Sequence, residues 1–322
     1  MAGKKQQLKS VARDSSGLGG NGAPRTTAPP PTVSPRWLLL AMGLTVAAAA
    51  VCAWATLCLL FWQGSWQLLY HPKAAVTRTP AGAGMDFDAV RFAATDAGRL
   101  RLQGWWIPAA ANAKFARYTV IYLHRQNGNL SDAVDALAAL HNLGVNVFAF
   151  DYRGYGQSEF AHPGEARWRE DTAWALDYLT GTRHVDPRTV VLAGDGLGAN
   201  LAIEVAAAHP EIAGAIAREP MTDAASAIFD DPRARLVPAR LLVRDRWNLS
   251  AAAAALQVPS LWLLAGNGSA EPEAIQKVST RKSVVWMGTG AAAEKNYAEA
   301  LARWLDELSA RRQPAAPVHS PS

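Results

Sequence analysis

Val191-Leu-Ala-Gly-Asp-Gly-Leu-Gly198 enters from an apolar, β-rich stretch and leaves through glycines at 194, 196 and 198, after which Ala199-Asn-Leu-Ala-Ile203 reads as helix. A strand that breaks into a helix through small residues at alternate positions leaves no room for side chains at the flanks of its turn. Strand and helix signals alternate on both sides of it. Continuous apolar runs at 118–123, 145–150, 189–193, 213–217, 260–265 and 283–287 predict buried strands, and 90–95 with 100–107 predicts two earlier ones. Helical periodicity covers 131–143, with Ser131 as its cap, then 165–179, 198–208 and 293–308. Such alternation predicts an α/β fold with a mainly parallel central sheet and helices on both faces. Ligands of these sheets sit at the carboxyl ends of the strands. Chemistry is therefore expected in the loops after Leu123, Phe150, Ala193, Ala265 and Met287.

Charge is unevenly placed. The 322 residues carry a net charge of +5. Six basic residues up to Arg36 (Lys4, Lys5, Lys9, Arg13, Arg25, Arg36) against the single acid Asp14 account for the whole excess. The rest is balanced, which excludes the basic footprint of a nucleic-acid-binding domain. Residues 1–35, rich in Gly, Ser, Thr and Pro, read as a disordered basic tail, and 311–322 as a second one. Residues 37–62 hold no charge, and at 1.5 Å per residue a helix of that length exceeds the roughly 30 Å hydrocarbon core of a bilayer. Trp37, Trp62 and Trp66 flank it as interfacial aromatics do. The span 36–62 is expected to be a single transmembrane anchor, longer than the apolar region of a cleaved signal. The basic side predicts a cytoplasmic N-terminus at the inner membrane and a periplasmic body over 63–310. Both cysteines, Cys52 and Cys58, fall in the span, so the body has no disulfide and no thiolate metal site. The basic, aliphatic stretch 236–246 is expected to be a surface helix, with a cap over the site or a membrane-touching face as its alternatives.

Leu69-Tyr-His-Pro72 directly after the span, Phe148-Ala-Phe-Asp-Tyr-Arg-Gly-Tyr-Gly-Gln-Ser158 at a strand end, and the turn at Gly194–Gly198 together resemble a known group. It is that of the membrane-anchored α/β-hydrolase-fold proteins with serine-aminopeptidase-like domains, which includes thioesterases and depalmitoylases. The resemblance implies an α/β-hydrolase fold from about residue 69 to 308. It also implies a Ser on a G-x-S-x-G elbow, a His base, an acid that orients it, and backbone N–H groups for the oxyanion.

At each of those positions the chain departs from the pattern. The elbow reads Gly194-Asp195-Gly196-Leu197-Gly198, with Gly196 at the nucleophile position. Asp195 cannot replace it, because a shifted frame puts Leu197 where a small residue is required and turns the carboxylate away. Ala291 stands where the His is expected, and no His occurs between His209 and His319. Ser269 stands nearest the position of the acid; Glu271, the only carboxylate of that loop, has no His to orient. The His-Gly start of the oxyanion loop is His124-Arg125, and an Arg there would crowd or fill the pocket.

The expected function is binding of a small apolar ligand or a protein partner by a catalytically inactive pseudohydrolase. The alternatives are an active serine-type hydrolase with other catalytic residues, or a dinucleotide-binding domain. For the last, Gly194-x-Gly196-x-x-Ala199 follows a strand and opens a helix, with Arg218 about 20 residues on. Against it, such a fingerprint normally sits on the first strand of its fold. Asp151 and Arg153 are expected to brace a loop, and His124 to be a packed loop residue rather than a metal ligand. No metal and no cofactor are expected, and the sequence leaves the oligomeric state open.

Overall fold

The computed structural model describes residues 34–268, 270–288 and 290–311. The expected disordered tails, 1–35 and 311–322, lie almost wholly outside them. Eight strands form the central sheet: β1 (Asp88–Ala94), β2 (Leu100–Ile107), β3 (Thr119–Leu123), β4 (Asn146–Asp151), β5 (Val190–Asp195), β6 (Gly214–Arg218), β7 (Ser260–Leu264) and β8 (Lys282–Trp286). Their spatial order is β8-β7-β6-β5-β3-β4-β2-β1. From β4 to β8 every pairing is parallel, while β2 runs antiparallel to both β1 and β4. Ile121 on β3 stands between Phe148 on β4 and Leu192 on β5.

The reason lies in the residues. β3, β5 and β7 are buried at every position, so both faces of each must be apolar or small. One face packs Phe148, Phe150, Leu192 and Trp262 against α3 (Glu165–Asp177) and α4 (Leu197–Ala208). The other packs Val120, Val147, Val191 and Leu263 against α2 (Leu130–His141) and the C-terminal helix Ala291–Ala310. The residue that caps α2 is Asn129, not Ser131. The Asn129 side chain accepts from the Ser131 N–H at 2.8 Å, and Asp132 returns the bond to the Asn129 N–H at 3.2 Å. This reciprocal box satisfies two N–H groups the first turn would otherwise leave open. Ser131 instead turns its hydroxyl to the Thr77 N–H at 2.8 Å.

The stretch 236–246 does not form the expected helix. Only Ala239–Leu242 makes a helical turn, with Pro238 at its cap, and the chain then runs without regular structure to Asn248, with Trp247 at φ 43°, before α5 (Leu249–Ala255). At the start of the chain α1 (Pro35–Gly64) is one helix, with a mean hydropathy of 2.2 over its best 18 residues. It is the one described helix long and apolar enough to cross a membrane. The chain divides into two units, 1–52 and 53–322. The last turns of α1 belong to the second, where Leu57, Cys58 and the buried Phe61 join the core around Tyr70 and Leu69.

Candidate functional site

The turn from β5 to α4 keeps the shape of a nucleophile elbow with no side chain at its apex. Gly196 has φ 57° and ψ −124°, a backbone region where an L side chain is strained. Its N–H donates to the Arg218 carbonyl at 3.0 Å, and its own carbonyl receives the Ala199 N–H at 3.1 Å. A Cβ on Gly194 would overlap the Gly198 carbonyl, and one on Gly198 would overlap the carbonyl oxygens of Leu123 and His124. The outer glycines are therefore required by the approach of α4 to β3 and β5, whatever stands at 196. That contact accounts for Gly194 and the positive φ for Gly196, so both glycines of the G-x-G-x-x-A spacing have a backbone reason without a dinucleotide.

Leu197 has its side chain in the core, and its N–H, at the position that would help bind an oxyanion, is occupied. Gln126 Oε1 accepts from it at 3.3 Å. The same amide places Nε2 3.2 Å from Met221 Sδ. Met221 is clasped in turn by Asn200, which donates to its carbonyl at 2.8 Å and accepts from its N–H at 2.9 Å. The Gln126 carbonyl is held by the His71 N–H at 3.0 Å and the Tyr155 hydroxyl at 2.8 Å. Gln126, held on its Nε2 side beside Met221, thus closes the space over Gly196, a role the sequence does not announce. A Cβ at 196 would stand 3.0 Å from Gln126 Oε1 and 3.3 Å from Arg125 Cβ.

Arg125, expected to crowd or fill the oxyanion pocket, brings its Cβ to 3.3 Å from where a Cβ at 196 would stand. Its guanidinium turns to Asp195 Oδ2 at 3.7 Å and Glu219 Oε2 at 3.5 Å. Arg218 approaches the same Asp195 oxygen at 3.6 Å and lies over the Tyr297 ring at 4.6 Å. Burial raises the Asp195 pKa, opposed by Arg218 and then Arg125. Asp195, Arg125 and Arg218, with Tyr122, His124 and Asp132, line a cavity of about 300 Å³ at the ends of β3, β5 and β6.

His124 and Asp151 face each other in the interior, with His124 Nε2 3.5 Å from Asp151 Oδ1. Burial pushes the histidine down to about 4 and the aspartic acid up to about 7, so between those values both are neutral. His124 Nδ1 lies 2.8 Å from the Arg125 carbonyl, and its ring packs 4.5 Å from that of Tyr152. Asp151 accepts the Leu130 N–H at 2.9 Å and so ties β4 to the start of α2. Arg153 fixes the same loop to α3: its Nε donates to Asp171 at 2.6 Å, it pairs with Glu170, and it lies over Trp174 at 4.7 Å. Among the described residues no group of three or more His, Cys, Asp or Glu is gathered as a metal site requires.

The acid and base loops meet through their main chains. Gly266 and Gly288 exchange N–H···O bonds at 3.3 and 3.1 Å. Ser269 lies outside the described residues, and Ala291 is the first residue of the C-terminal helix. Glu271 is engaged by Lys282 at 2.6 Å, a tie between its loop and β8.

Comparison with known proteins agrees with this architecture. Uncharacterized protein YfhR of Salmonella typhimurium is 38% identical over 133 residues, covering 41% of this chain and 43% of YfhR. The match thus spans less than half the length of that relative. Uncharacterized protein Rv2307c of Mycobacterium tuberculosis is 28% identical over 224 residues, 68% of this chain and 75% of that protein. Among solved structures, Pyrococcus furiosus esterase Pf2001 superposes with a TM-score of 0.55 at 17% identity, over 76% of this chain and 98% of the esterase, a likeness of fold. Residues 115–314, more than half of the chain, match the serine aminopeptidase S33 family. With an eight-stranded sheet of this order and a strand-elbow-helix turn at Gly196, the chain belongs to that α/β-hydrolase family.

Proposed function

We propose that this family member is a membrane-anchored pseudohydrolase that acts by binding. The observation that carries this reading is the capped elbow: Gly196 offers no nucleophile, and the Leu197 N–H is already satisfied by Gln126. A working acyl-transfer site needs both an activated nucleophile and free oxyanion donors, and removing one such donor costs about 10²–10³-fold in rate. The missing His between 209 and 319 removes the base as well. Binding falls to the cavity beside Asp195, whose guanidinium and carboxylate lining suits a small polar ligand better than the apolar one expected from the sequence. Residues 35–54 of α1 supply the anchor, and the basic residues before it favour a cytoplasmic N-terminus.

The test is labelling of the purified full chain with a serine-reactive fluorophosphonate. No labelling is expected; stoichiometric modification of one serine would return the protein to the active hydrolases. A reporter fused after Leu308 is expected to be active only in its periplasmic form, and cytoplasmic activity would reverse the orientation.

A further inference from the structure

Where the chain leaves the body for its apolar span, a second surface waits beside it. The Trp54 indole N–H donates to the Leu236 carbonyl at 3.2 Å, and the Arg244 guanidinium lies 5.3 Å from the centre of the Trp62 ring. The segment 236–244 is thus fastened along the last turns of α1. It carries two of the most exposed large apolar side chains of the body, Leu236 at 60% and Leu241 at 83%. Around them stand Arg235, Arg240 and Arg244, which among the described residues have no carboxylate within ion-pair distance, unlike Arg233 with Asp231. A cavity of about 230 Å³ lined by Leu57, Leu60, Phe61 and Leu68 is bordered by Arg233, two residues before Arg235.

We infer that the segment 235–244 is a second membrane contact, immersed in the headgroup layer of a bilayer that carries anionic lipids. The inference rests on the anchoring reading of α1. If the chain enters the bilayer at the apolar stretch directly preceding Trp54, the Leu236 carbonyl fixed to that Trp lies at the interface as well. Exposed leucines flanked by unpaired arginines are what an interfacial segment presents: aliphatic groups toward the acyl boundary and guanidinium groups toward lipid phosphates. Trp54 and Trp62 supply the indoles that favour the same layer. Residues 35–54, about 30 Å at 1.5 Å per residue, remain for the crossing, the thickness of a hydrocarbon core.

The test uses the full chain in nanodiscs of phosphatidylcholine alone or with one quarter phosphatidylglycerol. In a background of Cys52→Ala and Cys58→Ala, an environment-sensitive fluorophore is placed at Leu44→Cys, Leu241→Cys or Ala97→Cys, and quenching by spin-labelled lipid is read. With anionic lipid, quenching is expected at 44 and 241 and none at 97, in the β1–β2 turn. The variant Arg235→Gln/Arg240→Gln/Arg244→Gln should lower the immersed-to-withdrawn ratio at 241 by about a hundredfold while leaving 44 unchanged. Quenching at 44 without 241 overturns this inference and leaves the anchor standing, whether a protein or a second copy covers the segment. Quenching at 241 without 44 supports the contact and removes the anchor; neither position quenched removes both. Equal quenching at 241 in the two lipid mixtures overturns the assignment to anionic headgroups.

Discussion

Restoring a serine to the elbow should cost stability and return no activity until Gln126 is moved. Gly196→Ser places a side chain at φ 57°, ψ −124°, a strain of about 1–3 kcal/mol. Its Cβ arrives 3.0 Å from Gln126 Oε1, so the amide must give by a few tenths of an ångström while still capping the Leu197 N–H. Destabilisation of about 1–3 kcal/mol is therefore expected in chemical denaturation of the full chain in detergent. Without a base, Gly196→Ser should not hydrolyse a p-nitrophenyl ester. Adding Ser269→Asp and Ala291→His supplies acid and base on two loops already joined at Gly266 and Gly288. A Gln126→Gly change on top of that triple variant frees the oxyanion donor, and activity should rise a further 10²–10³-fold or so. The reasoning fails if the triple variant is as active as the quadruple one, because the Leu197 N–H would then be available with Gln126 in place. It fails equally if Gly196→Ser alone is active, because a base would exist elsewhere.

Three other perturbations test the surroundings. His124, held down to about 4 from 6.5, makes the fold lose stability as pH falls through that window, whereas Asp151, raised from 3.8 to about 7, makes it gain stability over much the same range. The two slopes largely cancel, so Asp151→Asn should unmask the histidine and lose about 4 kcal/mol relative to the parent between pH 7 and 4; parallel denaturation curves would refute it. Arg153→Met leaves the buried Asp171 unpaired and should cost about 3–5 kcal/mol, most of it regained with Asp171→Leu, as read from urea midpoints. Gly198→Ala meets the Leu123 and His124 carbonyls and should lower stability by about 3 kcal/mol or more, while Gly98→Ala, with open space around it, should cost about 1 kcal/mol; similar melting temperatures would sink the contrast.

The eight strands are legible because their causes are local. A strand covered on both faces, such as β3 with Thr119-Val-Ile-Tyr-Leu123, must be a continuous β-rich run. Glycines 194 and 198 are legible for a related reason, since only a backbone-to-backbone approach demands that spacing. The Asn129 cap was also written in the sequence, as Asn-x-x-Asp, but Ser131 two places on competes for the same reading. Gln126 is different. Its amide reaches Leu197 only because the loop after β3 lies against the β5–α4 turn, 71 residues on, and nothing in His124-Arg-Gln-Asn127 distinguishes it from Arg125 as the group that fills the pocket. The segment 236–246 has helical composition, yet Pro238 and attachment to α1 hold it to a single turn, a tertiary override of propensity.

The bridge between Gly266 and Gly288 is blind to side chains. In an active site of this kind the acid and base loops are also tied by a hydrogen bond between their functional groups, so any change there loosens both. Here the two N–H···O bonds are main chain to main chain, and they persist whichever residues follow. The rim of the sheet is thereby uncoupled from the identity of what it displays. Substitutions that spare the two glycines, Gly268 against Trp286 and the Glu271–Lys282 pair leave this tie in place, which makes this edge a place where new recognition can be tried out one residue at a time.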